Sequence, residues 1–418
     1  MSLQVVMPAE PELHAILGMV RSGSAVTRPE LLRRSGLGRT LVNQRIAQLE
    51  ASGLVEEGEL APSTGGRAPR RLRFRAEAGL VLGAELEARS MTVGITDLAG
   101  EPLEHRSLEW DVLAGPEETL RTLRHLADEL LHSPPAAGRQ LWAAGVGLPA
   151  PVEFRSGTPI APPIMPGWDG FPVRDRVADN LGIPVWVDNE VNLLALGELR
   201  AGAARGTDDL VYVKLGTGIG AGLISQGRLH RGSQGCAGDV GHVRVVDDPG
   251  VACLCGKRGC LEAVAGGGAL IRRAAADVEE GKGSPYLAKL MEGGRALRVA
   301  DIVQAAEAGD LAAVDYVIGA GRHIGMGLAA VVNFFNPSLV IIGGPLAVAG
   351  DRLIAAIKEE VFHRSLALAT RELTIGQSQL GAVGGMRGAA FMAIDELFRP
   401  AFLETWLAVG TPVGMRAP

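Results

Sequence analysis

The sequence predicts an α/β chain of two parts, a small helical head and a larger body in which short apolar strands alternate with helices. Three observations carry this. The 418 residues are 47% apolar and 21% charged, enough for a large core and incompatible with whole-chain disorder. Aromatics are only 4% and Gly numbers 57, which favours tight turns and close-packed α/β layers over an aromatic-rich sandwich. Charge is also unevenly placed. Residues 1–76 hold eleven Arg, no Lys and seven Glu, a net +4 within a chain of −6, so the remainder is −10. A cationic head on an acidic body points to a nucleic-acid-binding module, with a solvated charged face as the alternative.

The pattern of the head decides between them. Leu13, Ile16, Leu17 and Val20 share one face of a helix near 12–22. Thr27 caps a second helix, with Pro29 in its first turn and Glu30 three residues on, and Leu31 and Leu32 facing inward. Gly36 makes the turn. A third helix starts near Arg39, with Val42, Ile46 and Leu49 inward, and ends at Gly53. Leu54–Glu56 and Leu72–Phe74 read as a strand and its return. Helix, helix, turn, helix, two-stranded wing is a winged helix-turn-helix. Arg39, Thr40, Asn43 and Gln44 fall on the outer face of the third helix, where Arg and Asn/Gln have the donor patterns that read base edges. Gly65-Gly66-Arg67 gives the wing a flexible tip with a guanidinium, suited to the minor groove or phosphates. The DNA-binding candidates are therefore Arg39, Thr40, Asn43, Gln44 and Arg67.

From Leu80 onward, strand-like runs at 80–86, 91–96, 140–147, 184–188, 210–215, 220–224 and 339–342 alternate with helical stretches near 117–132, 190–203, 269–277, 299–308, 311–335 and 350–361. The segments 81–101 and 211–229 each read strand, tight turn, strand. Such hairpins in two successive halves indicate an internally duplicated, two-lobed body with a cleft between lobes. Residues 324–350 carry no charge, but Asn336, Pro337 and Ser338 at the centre divide the run into a buried helix, a turn and a short strand, so no membrane span is expected. The first residues show no basic region followed by an apolar core and cleavage site, so no secretory signal is expected.

Four Cys in this length cannot be a disulfide framework and point to a reducing compartment or a metal site. Three lie within eight residues, Cys253, Cys255 and Cys260, around Gly256 and Gly259. With His242 they make a Cys3His set of the kind that holds structural zinc, against the alternative of three unrelated buried thiols. Cys236 stands outside the pattern.

The run Gly235-Cys236-Ala237-Gly238-Asp239-Val240-Gly241-His242, the Cys253-to-Glu262 segment and the turn Leu215-Gly216-Thr217-Gly218-Ile219-Gly220-Ala221-Gly222 resemble the ROK family of repressors and sugar kinases. The likeness extends over 145–151, 166–170, 187–192 and Asn336-Pro337. It implies an actin-like, hexokinase-type fold, a zinc ion, a homo-oligomer (dimer or tetramer) and a sugar pocket between lobes. The divisions that follow are a DNA-binding head over 1–76 and a ROK domain over 77–418. Its small lobe covers about 77–188 plus a C-terminal helix, and its large lobe about 189–385. The head with its Gly65-to-Pro69 wing is similar to that of ROK repressors; kinases of the family usually lack it. Carried over by position, the sugar-contacting residues are Asn189, Glu190, Asp239, His242 and Glu262. Carboxylates, an amide and an imidazole suit sugar hydroxyls, which donate and accept at once.

Departures from the kinase pattern weigh against phosphoryl transfer. Where family kinases have a phosphate-facing glycine this chain has Glu87, with Arg89 in place of a small hydroxyl residue; a carboxylate there opposes polyphosphate. Glu190 stands at the catalytic aspartate, so the base is displaced by about 1 Å or more. Ile164 replaces a sugar-binding Asn, and Asp239 a Glu. The expectation is a cytoplasmic, non-enzymatic transcriptional regulator, a repressor, that binds an inverted-repeat operator, senses a sugar or sugar derivative, carries structural Zn2+ and does not use ATP. Two alternatives stand beside it: an active ATP-dependent sugar kinase with a DNA-binding head, and a regulator with a vestigial pocket switched by a protein partner.

Overall fold

The head folds from its own apolar pattern. In the computed structural model, which describes residues 11–61 and 68–418, helices α1 (Pro11–Arg21), α2 (Arg28–Ser35) and α3 (Arg39–Ala51) precede an antiparallel pair, β1 (Val55–Leu60) and β2 (Arg70–Phe74). Leu13, Ile16, Leu17, Leu31, Val42, Ile46 and Leu49 are buried together, while Leu32 is only half-buried. Thr27 Oγ1 accepts from the Glu30 N–H at 3.4 Å, and Glu30 reaches back to the Val26 N–H at 3.0 Å, one residue beyond the expected partner. Gly36 closes α2 at φ +69°, a conformation that favours glycine. The wing tip with Arg67 lies outside the described residues.

The first half of the body contains β3 (Leu80–Leu86), β4 (Ser90–Thr96), β5 (Pro102–Glu109), α4 (Pro116–Leu131), β6 (Leu141–Leu148), a short hairpin β7 (Val152–Glu153) and β8 (Thr158–Pro159), α5 (Val173–Leu181) and β9 (Val185–Asn189). Its sheet runs β5-β4-β3-β6-β9. Helix α6 (Glu190–Ala201) leads onward. The second half contains β10 (Leu210–Leu215), β11 (Ile219–Ser225), β12 (Arg228–Leu229), helices α7 (Leu261–Ala265), α8 (Gly267–Glu279), α9 (Pro285–Met291), α10 (Val299–Glu307) and α11 (Leu311–Phe335), then β13 (Leu339–Gly343), α12 (Asp351–Arg364), α13 (Ala367–Thr370) and β14 (Thr374–Gln377). Its sheet runs β12-β11-β10-β13-β14. In each half the first strand pairs antiparallel with the second and parallel with the fourth, so the two sheets are topological copies.

The chain then returns to the first sheet. Helix α14 (Gly384–Leu397) lies directly on it: a Cβ at Gly83 would sit 2.1 Å from the Met386 carbonyl oxygen, and one at Gly145 1.9 Å from that of Ala389. Helix α15 (Pro400–Val409) buries Trp406, whose ring meets Trp142 at 5.5 Å, and α15 also touches α1 of the head. The head core and this region form one apolar cluster.

The uncharged run is divided as expected. The 25-residue α11 is long and apolar enough to cross a membrane, but Tyr316, Val317, Ile324 and Leu328 are buried in the core of the second half. Asn336, at φ +54°, ends the helix and β13 follows.

Candidate functional site

Between the two sheets lies a cleft of about 810 Å³, reached by the β3–β4 turn, the loop after β6, the start of α6, the β10–β11 turn and residues 234–242. All five residues expected to meet a sugar line it: Asn189, Glu190, Asp239, His242 and Glu262. Their engagement differs.

Asn189 is the N-cap of α6. Its Oδ1 accepts from the Val191 and Asn192 amides at 2.8 and 3.4 Å, and its Nδ2 donates to the Ala150 carbonyl at 2.9 Å. Its orientation is thus set by the backbone. Asp188 beside it escaped the sequence reading. Only 2% exposed, it accepts from the Asn189 amide, Asn192 Nδ2 and Arg231 Nε at 2.7–2.9 Å. Arg231 in turn stacks on Phe154 at 3.8 Å. Glu262 accepts from the Ile219 amide at 3.1 Å, under a turn where a Cβ at Gly218 would strike its carboxylate. Asp239 is half exposed, and its Oδ1 is 4.0 Å from His242 Nε2.

Glu190 is committed elsewhere. It is 8% exposed and accepts from Lys214 Nζ at 2.7 Å; the same ammonium pairs with Glu87 across the cleft. Glu87 also accepts from Ser90 Oγ at 2.5 Å. Glu85, Glu87 and Glu190 form a carboxylate cluster around one lysine. Burial pushes Glu85 up to about 8 and Glu190 up to about 7, the latter against the pull of Lys214. Burial works against the charge on Lys214, but Glu190, Glu87 and Glu85 outweigh it and hold the ammonium charged. Sequence reading singled out Glu87 and Glu190 but missed Lys214, which pattern hides inside a buried strand.

The metal candidates do come together. The ligand atoms of His242, Cys253, Cys255 and Cys260 all lie within 4.8 Å of one another. Cys255 and Cys260 sulfurs are 3.8 Å apart, the separation of two thiolates each about 2.3 Å from a tetrahedral ion. His242 turns Nδ1 toward Cys253 at 3.5 Å, leaving Nε2 toward Asp239 and the cleft. Burial and the two other thiols push Cys260 up to about 12, burial pushes Cys253 up, and Cys255 is lowered, with backbone and thiol hydrogen bonds outweighing its burial. The residues fit one zinc ion. Cys236 is exposed and outside the cluster.

On the head, Arg39, Thr40, Asn43 and Gln44 are all exposed on one face of α3, with Asn43 Oδ1 accepting from Arg28 at 3.3 Å. Much of the head's positive charge is internally spent. Arg28, Arg70, Arg73 and Arg75 pair with Glu50, Glu56, Glu57 and Glu77. Arg33, Arg34 and Arg39 are exposed with no ion pair among the described residues, and the sequence reading had singled out only Arg39. Arg45, inward on α3, is 7% exposed and donates to Gln48 at 2.9 Å.

The chain belongs to the ROK family, whose model matches residues 81–396. The xylose repressor of Caldicellulosiruptor bescii is 28% identical over 382 residues, 91% of this chain and 95% of the relative. A solved ROK family transcriptional regulator, a homolog of the E. coli MLC protein, superposes with TM-score 0.81 at 26% identity, over 95% of this chain and 98% of the other. A ROK glucokinase from Streptomyces griseus, solved with glucose and AMPPNP, has TM-score 0.66 at 31% identity and covers 75% of this chain and 99% of its own.

Proposed function

We propose that this protein is a sequence-specific DNA-binding transcriptional regulator, a repressor, whose ROK body senses a sugar or sugar derivative in the cleft between its sheets. The observation that carries the reading is the extent of the likeness. A xylose repressor matches 91% of the chain and a ROK transcriptional regulator structure 95%, shares that must reach into residues 1–76, whereas the glucokinase structure covers 75%. The head acts as a winged helix-turn-helix: α3 enters the major groove with Arg39, Thr40, Asn43 and Gln44, Arg33 and Arg34 meet phosphates, and Arg67 serves the wing. Residues 1–76 constitute this module and 77–418 the sensor.

In the cleft Asp239, Glu262 and the free edge of His242 offer acceptors and a donor to sugar hydroxyls, with Asn189 held beside them. His242, Cys253, Cys255 and Cys260 hold structural Zn2+, which fixes the loop bearing Asp239. The protein acts in the cytoplasm as a homodimer or homotetramer on an inverted repeat. Phosphoryl transfer is lost, because Lys214 and its carboxylates engage the base position and face the phosphate side of the cleft.

Purified protein incubated with its own upstream DNA, with and without xylose, glucose and N-acetylhexosamines, tests the reading. Retention of a specific fragment that one sugar alters by about tenfold or more is expected. No specific fragment under any condition would exclude a regulator.

A further inference from the structure

Helix α6 carries an ion cluster at each end. At its N-terminus Glu190 pairs with Lys214 of β10, which also holds Glu87 at the end of β3. That single ammonium ties the second sheet to the first and to α6. At the other end Arg200 binds both oxygens of Asp395 on α14, at 2.6 and 2.7 Å. Arg21, the last residue of α1, faces this pair and stacks on Phe398 at 4.4 Å and Phe74 at 5.5 Å. His14 Nδ1 lies 2.8 Å from the Phe398 carbonyl. The head therefore sits on the junction of α14 and α15.

Between the two clusters the helices approach closely at two glycines. A Cβ at Gly388 would lie 1.8 Å from the Leu193 carbonyl oxygen, and one at Gly197 2.5 Å from that of Gly384. The backbones of α6 and α14 meet directly. Leu193 and Leu196 of α6 pack beside this crossing with Ala389 and Met392 of α14, and close-packed interiors transmit strain. The 12 residues of α6 span about 18 Å. Coupling over such a distance needs a rigid element with groups at both ends that have two arrangements.

We propose that α6, moving with α14 as one block, is the lever that transmits the state of the Lys214–Glu190–Glu87 cluster to the seat of the head around Arg21. Loss of the ammonium breaks the charged tie of Glu87 and Glu190 to the second sheet and leaves α6 held to it by Val191 and Ala195 packed on Gly222. The block then shifts, and the shift arrives at Asp395 and Phe398, where α1 is held. The lever must work in both directions, because coupling between two sites is reciprocal. It belongs to the chain alone and does not rest on the identity of ligand or DNA.

Amide hydrogen exchange of the full-length protein tests this without a ligand. In Lys214→Met, exchange over α1 and over residues 398–402 speeds by about fivefold or more, while α11, outside the lever, keeps its rate. In Arg21→Ala, exchange over residues 86–90 and 190–193 rises. Unchanged α1 in a folded Lys214→Met protein overturns the proposal, as does an equal rise in α11, which marks general destabilisation. Should Lys214→Met fail to fold, Glu87→Gln removes one cross-cleft charge and carries the same comparison, with the same two results overturning it.

Discussion

Lys214 changes what the cleft can do. A single buried ammonium surrounded by three carboxylates leaves the site with more acid than base, and the surplus is met by protonation. Glu85 and Glu190 have folded values of about 8 and about 7 against an ordinary 4.5, with burial as the leading cause. Folding therefore binds protons here. Stability from these groups is fully present below about pH 4.5 and is lost as pH rises through 7 and 8. Glu85→Gln should flatten the decline between pH 5 and pH 8, by on the order of 1–3 kcal/mol at the upper end. Urea unfolding at several pH values is the measurement; an unchanged slope would mean Glu85 is not the titrating group. On the head, Arg39→Ala should cost about 1–3 kcal/mol of operator binding and relax base preference. The double change at Arg33 and Arg34 should weaken all sequences alike and lower the salt dependence. Binding isotherms at two salt concentrations separate the two behaviours. Residue by residue, the convergence of three thiols and an imidazole on one point was legible, because residues of those types at that spacing have few other uses. Asp188, Arg231 and Lys214 were not. A buried charge is visible in sequence only through its charged partners, and theirs are 24 to 127 residues away.

At the scale of elements, periodicity and punctuation located most of the body. The strands at 80–86 and 210–215 and the helix at 311–335 fall where the pattern put them. Two omissions have physical causes. Strand β5 is an edge strand with Glu104, His105, Arg106 and Glu109, and mostly half-exposed, so it reads as a polar loop. Helix α14 is buried on nearly every side, with Gly384, Gly385 and Gly388 in its first turns, so no one-sided stripe marks it and the C-terminal helix of the small lobe was expected from the family resemblance alone. The loop bearing the cysteines is an element of another kind. From Cys236 to Cys260, regular structure is limited to a 3-10 turn at Val240–His242 and isolated bridges at Arg244–Cys260 and Ala252–Arg258. Backbone hydrogen bonds such as Cys253 N–H to the Lys257 carbonyl and Gly259 N–H to the Val251 carbonyl tie the loop, and ligation of a metal is expected to add to its order. Cys255→Ser should lower zinc content from one ion per chain toward none and speed exchange across residues 236–262. Elemental analysis of freshly purified protein checks the first, and a full complement of zinc in the variant would remove Cys255 from the ligand set.

At the scale of the whole molecule, the duplicated sheets are those of a kinase-like body, yet Lys214 with Glu87 and Glu190 spans the cleft between them. Sugar-dependent ATP turnover should be undetectable at micromolar protein, because proton removal and phosphate approach are both obstructed and the losses compound. A coupled ADP-release assay across hexoses and N-acetylhexosamines is the check. Turnover near one per second would restore the kinase reading. The two-lobed body was legible from its repeated hairpins. Its attachment to the head was not, since the contacts join α1 to helices at the far end of the chain, and no local pattern reports a pairing of that range.

That long-range pairing has a consequence for synthesis. About 300 residues separate Gly83 from the Met386 carbonyl that covers it, and α1 waits longer still for Phe398. During translation the first sheet emerges early with one face bare, and the head emerges before the surface that seats it. The nascent chain can form the head and second half locally, but the first half is finished only when α14 leaves the ribosome. A regulator built this way docks its reading head last, after the sensing body is complete, so a prematurely terminated chain carries a head with nothing to hold it.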